Sequence, residues 1–129
     1  MPRIESFNSS FSFYKTEFHE LIHSTGHQSR LARKGITEFD KFGSTKYSKE
    51  ELIAELGAAF LASVSGCYDS KQEKNSAAYL KGWIKSLKDD PAMILAAAGA
   101  AQKAAEHILG CPLDEYQPLP EELEVEAAK

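Results

Sequence analysis

The chain has 129 residues, 43% of them hydrophobic, which suits one domain with enough apolar mass for a core. Its formal charge of −4 is unevenly placed: residues 111–129 carry −5 and the preceding 110 carry +1, so the body is near neutral and direct nucleic-acid binding is not expected. No apolar run reaches the roughly 18 residues of a membrane span, the start Met1-Pro2-Arg3-Ile4-Glu5 is too polar for a secretory leader, and the two cysteines, Cys67 and Cys111, suit free thiols in a reducing cytoplasm.

Ile4 and Phe7 fit an edge strand or a lead-in. Asn8, Ser9 and Ser10 can cap the helix that follows. From Phe11 to Ser24, the apolar positions Phe11, Tyr14, Phe18, Leu21 and Ile22 recur at steps of three and four, which is one face of a helix. Gly26 is its expected stop, through a left-handed backbone. Residues 27–47 contain breakers at Gly35 and Gly43 and suggest a small strand or hairpin. Their basic stretch Arg30–Lys34 reads as a solvated surface.

Ser48-Lys49-Glu50-Glu51 matches a capping box, so a second helix is expected from there to Gly66. Its small residues Gly57, Ala58 and Ala59 would let another helix approach closely. A third helix is expected from Asn75 or Ser76 to Leu87, with Trp83 read as a core residue. A fourth, alanine-rich helix runs from Pro91 to Leu109, between an Asp90 cap and Gly110. Residues 1–110 are expected to form the domain, and 111–129 an acidic tail too poor in apolar mass to fold.

Within the first helix lies His19-Glu20-Leu21-Ile22-His23, the pattern H-E-x-x-H. Residues four apart share a helix face, so both imidazoles can reach one cation. Glu20 can lean over the same site and handle a proton. The pattern implies Zn2+ and hydrolysis of an amide bond by a zinc-activated water. Phe18, Leu21 and Ile22 surround the histidines with apolar side chains, and partly buried imidazoles need partners.

A third ligand must come from elsewhere. His27 is four residues beyond His23, but Gly26 intervenes, and the metzincin pattern would want histidine where Ser29 stands. Glu38 and Asp40 are more remote. Glu51 and Glu55 are four apart and can point at one place, one binding the metal while the other orients a histidine. Spacing alone does not say which does which. His107, Cys67 and Cys111 carry no catalytic pattern.

The block Phe18–His27 with Ser29-Arg30-Leu31 resembles the zincin-like metallopeptidase domain of ArdC-type antirestriction proteins and of related phage and mobile-element polyvalent proteins. A second block, Tyr47–Leu61, agrees with the same group, as does the helical stretch with Ala78-Tyr79 and Trp83. The resemblance covers residues 2–110. It implies an α+β, mostly helical, gluzincin-like fold with a small or incomplete β-sheet. It also implies Glu51 as the third ligand and Glu55 as the partner of a ligating histidine. ArdC-like proteins carry a separate N-terminal domain that binds single-stranded DNA, which this chain lacks. It starts about eighteen residues before the motif and would be a fragment or a reduced version.

These readings give a zinc metallopeptidase acting on a peptide or protein substrate. Zn2+ would be held by His19, His23 and Glu51, Glu20 would be the general base, and Tyr47 or His27 an oxyanion helper. The alternative is a non-catalytic zinc-binding interaction domain that binds a host or DNA-processing protein. Substrate and oligomeric state are not set by the sequence.

Overall fold

The computed structural model describes residues 1–38, 45–67, 70–86 and 90–117, and among these five α-helices carry the fold. They are α1 (Ser10–Thr25), α2 (Lys34–Thr37), α3 (Thr45–Ser65), α4 (Ser70–Ser86) and α5 (Pro91–Leu109), with single 3-10 turns at Ile4–Ser6 and Leu113–Glu115. None of the helices is long and apolar enough to cross a membrane.

Local sequence explains the helix ends. Ser9 caps α1 by accepting the backbone N–H of Ser12 at 3.1 Å. Asp90 does the same for α5 through Met93 at 3.2 Å, with Pro91 in the first turn. Gly66 and Gly110 follow α3 and α5 at φ +74, a backbone that favours glycine. Gly26 ends α1 for a different reason than expected. Its backbone is right-handed, and a Cβ there would lie 2.5 Å from Ile36 Cγ1 and 2.9 Å from Arg33 Nη2.

The central element is α3. It packs against α1 on one side and α5 on the other. Its core residues Leu52, Ile53, Ala54 and Leu61 meet Ile22 of α1 and the alanine face Ala97, Ala101, Ala104 and Ala105 of α5. A helix flanked on both sides is apolar nearly all round, which makes Glu50 and Glu55 costly residues to place in it. At Gly57 an added Cβ would meet Ile22 Cδ1 at 2.6 Å, so the glycine sets how closely α1 and α3 approach.

The expected α+β class with a small or incomplete sheet is corrected: no strand occurs among the described residues. Ile4 lies in a 3-10 turn, and Phe7 packs edge-on against Phe13 with ring centroids 5.4 Å apart. After α1 the backbone folds back on the helix end. Leu31 donates to the Thr25 carbonyl at 2.8 Å and Arg33 to that of Gly26 at 3.0 Å. Those N–H groups are spent locally and cannot build a ladder. Residues 39–44, in the stretch read as a strand or hairpin, lie outside the described residues, as do 118–129 of the acidic tail. Before them, Leu113 packs on the core. The capping box is also corrected: α3 starts at Thr45, so Ser48 is inside the helix. Likewise α4 begins at Ser70, ahead of the expected Asn75.

Candidate metal site

The seam between α1 and α3 brings two imidazoles and a carboxylate to one point. His19 Nε2 and His23 Nε2 are 3.2 Å apart. Glu51 reaches both, Oε2 to His19 Nε2 at 3.3 Å and Oε1 to His23 Nε2 at 3.2 Å. One ligand atom from each of the three lies within 4.8 Å of the others, an arrangement that could hold a metal ion. Donors about 2.1 Å from a shared ion stand roughly 3.0 Å apart in an octahedral array and roughly 3.4 Å apart in a tetrahedral one. The observed spacings fall between, so they fit a divalent cation without selecting its geometry.

The far side of each ring bears on how the near side could take a cation. His19 Nδ1 faces Glu55 Oε2 at 3.5 Å, and His23 Nδ1 faces Glu50 Oε1 at 3.2 Å. A carboxylate at Nδ1 favours the proton there and leaves Nε2 as a bare lone pair. Two such lone pairs and a third carboxylate then point at one spot. The Glu55 carboxylate beside its ring raises the His19 pKa above the usual 6.5 against the effect of burial, and the charges of Glu51 and Glu20 add to it.

Glu50 is a member of the site that the sequence did not reveal. It is buried, 4% exposed, and is held by Arg33 as well as by His23. Burial alone would push its carboxyl up; the Arg33 and His23 hydrogen bonds outweigh that and hold it below the ordinary 4.5. Arg33 also donates to Thr25 Oγ1 at 2.6 Å and to the Ile22 carbonyl at 2.7 Å, closing the end of α1. The Arg30–Lys34 stretch is therefore not uniformly a solvated surface, because the Arg33 side chain is only 11% exposed. Lys15 likewise pairs with Glu55 at 3.0 Å. Burial opposes ionisation of Glu55, yet His19 and Lys15 hold it below 4.5.

Of the remaining candidates, Glu20 is exposed, and its charge acts on the His19 ring. His27 is exposed in the loop after α1, where its Nδ1 accepts from the Ser29 hydroxyl at 2.8 Å and the Ser29 backbone N–H at 3.1 Å. Glu38 follows α2 and is exposed. The Tyr47 side chain and Asp40 lie outside the described residues.

Comparison with known proteins places this geometry in context. A family profile described as zincin-like metallopeptidase matches residues 1–100. Two DNA primase TraC proteins of Escherichia coli are 40% and 41% identical over 110 residues, which is 84% of this chain but only 7% and 10% of theirs. The crystal structure of the antirestriction protein ArdC from the R388 plasmid, in its Mn(II)-bound form, aligns with a TM-score of 0.61 and 40% identity. The alignment covers 91% of this chain and 42% of that one. This chain thus spans a small part of the curated relatives' length.

These findings correct the reading as a zinc metallopeptidase with Glu20 as general base. Although the family profile carries the metallopeptidase name, the relatives named above are an antirestriction protein and DNA primases. With the hydrolase reading goes the peptide substrate. Zn2+ is corrected too: the metal in the solved relative is Mn(II), and two imidazoles with a carboxylate suit several divalent ions. The exclusion of nucleic acid falls as well. It rested on the near-neutral charge of residues 1–110, whereas the relatives are DNA primases and an antirestriction protein, and α4 alone carries four lysines against one glutamate.

Proposed function

The chain belongs to the zincin-like metallopeptidase family, and from that premise we propose that it is a non-catalytic, divalent-metal-binding interaction domain of proteins that handle DNA. The observation that carries this reading is the convergence of His19 Nε2, His23 Nε2 and Glu51 while Glu55 and Glu50 face the opposite ring nitrogens. His19, His23 and Glu51 would hold the ion, and the Mn(II) in the ArdC structure makes manganese the ion to test. A cation there ties α1 to α3 across the seam that also holds Ile22 and Gly57. Its effect is to fix the helical scaffold, with the exposed faces left to bind a partner. The names of the TraC and ArdC relatives support the DNA setting. Free, half-buried Cys67 and Cys111 fit a cytoplasmic location.

Mn(II) titration followed by electron paramagnetic resonance tests the reading. The free-ion signal should disappear up to one equivalent and persist in His19→Ala. At one hundred times Kd the ion should stabilise the fold by about 2.7 kcal/mol, read as a higher Tm. Absence of Mn(II) binding, or Mn(II)-dependent cleavage of casein abolished in Glu20→Gln, would overturn the proposal.

A further inference from the structure

Helix α4 presents a surface that the metal site does not use. Tyr79 is 41% exposed, and its ring lies 6.3 Å from that of Trp83 at an interplanar angle of 57°. Trp83 is half-buried and packs against the core. Beside the two rings runs a surface cleft of about 390 Å³ lined by Ala78, Tyr79, Gly82 and Trp83. A Cβ placed at Gly82 would meet nothing within 4 Å, so the glycine leaves the cleft floor open.

Helical geometry sets a row of charge along the other side of that floor. At about 100° per residue, Ala78 and Gly82 fall between the aromatic pair and Lys74, Lys81 and Lys85. All three lysines are exposed. The helix as a whole carries a net charge of +3 in a chain of net −4. A row of cations, a gutter of small residues and a row of rings therefore run parallel along one helix. Phosphates and bases of an unpaired strand are offset from each other in the same way. A duplex keeps its base faces stacked inside and would leave the rings without a partner.

We infer that this face of α4 binds single-stranded nucleic acid, with bases against Tyr79 and Trp83 and phosphates along Lys74, Lys81 and Lys85. The charge favours a polyanion, and the rings favour one that carries planar bases. Only the DNA setting is shared with the proposed function. The two fail separately, because Mn(II) binding is read on α1 and α3 and strand binding on α4.

Trp83 is the single tryptophan of the chain, so its fluorescence reports directly on the face. Titration of the full chain with oligothymidine should quench that emission. Labelled oligothymidine anisotropy should show Tyr79→Ala, a surface change that leaves the core intact, weakening binding by at least about fivefold. Lys81→Glu should reduce the slope of log affinity against log salt by about 0.7 for each phosphate that the variant no longer neutralises. Unchanged circular dichroism and Mn(II) uptake in both variants would show that the fold persists. Equal affinity for duplex DNA, equal affinity for poly-glutamate, or a Tyr79→Ala protein that binds like the parent would each overturn the inference. Poly-glutamate binding would assign the face to an acidic protein partner instead.

Discussion

Arg33 donates two hydrogen bonds to Glu50, from Nε to Oε2 at 2.9 Å and from Nη2 to Oε1 at 2.7 Å. This is the planar fork on a carboxylate that lysine cannot reproduce. Because Glu50 in turn faces His23 Nδ1, the guanidinium acts on the metal site through two intervening side chains.

Arg33→Ala should leave Glu50 ionised and buried without its main partner, a loss of about 3 kcal/mol. Chemical denaturation with linear extrapolation measures it. Arg33→Lys should keep part of the stability but not the orientation of Glu50, so Mn(II) affinity should fall roughly tenfold or more. Parent-like affinity in both variants would remove Arg33 from the site.

Glu51→Gln should behave in the opposite way. The side chain is a quarter exposed and keeps its shape, so the metal-free Tm should change little. Mn(II) binding should drop by at least about tenfold, because the amide brings no charge to the ion. Isothermal titration of parent and variant at one pH decides the matter.

The pH dependence has opposite signs with and without metal. Glu50 is lowered below 4.5, so its contribution to the metal-free fold is full above that value and is lost as pH falls through the folded pKa. His19 is raised above 6.5, so its contribution is full below that value and is lost as pH rises through the folded pKa. From these two groups, metal-free stability should be greatest between about 4.5 and 6.5. Metal competes with protons for the imidazoles, so stabilisation by Mn(II) should grow as pH rises. Tm measured against pH with EDTA and with Mn(II) should give two curves whose optima separate, the metal-bound one at higher pH.

Ala32 is the non-glycine residue with positive φ, at +49, among the described residues. The left-handed backbone costs an alanine about 1 kcal/mol. Ala32→Gly should raise Tm by a degree or more, reduced by the extra freedom glycine brings to the unfolded chain. A lower Tm would show that the Ala32 methyl makes contacts worth more than the backbone cost.

Much of the helical layout was readable because its signals are local. Ser9 caps α1, and Asp90, Pro91 and Gly110 bound α5, each within a turn of the residues they govern. The two imidazoles were equally legible from their spacing. Glu50 and Arg33 were not, because their bonds span 17 residues of sequence and the Glu50 bond to His23 spans 27. No short pattern marks such a pair. The capping box misled because four residues matched a motif that occurs inside α3 as readily as at its start. The sheet rested on weak local hints at Ile4, Phe7 and residues 27–47 together with a family resemblance, and the peptidase chemistry on a motif and the same resemblance. A donor pattern specifies where ligand atoms meet, not which ion sits there or what reaction follows.

The fit of Ile22 over Gly57 has a bearing on how this domain could be monitored. His19 and His23 ride on one wall of that seam and Glu51 on the other, so on the proposed function ion affinity should act as a caliper for the gap between helices. Anything that wedges the walls apart by a few tenths of an ångström should register in metal uptake well before the protein melts.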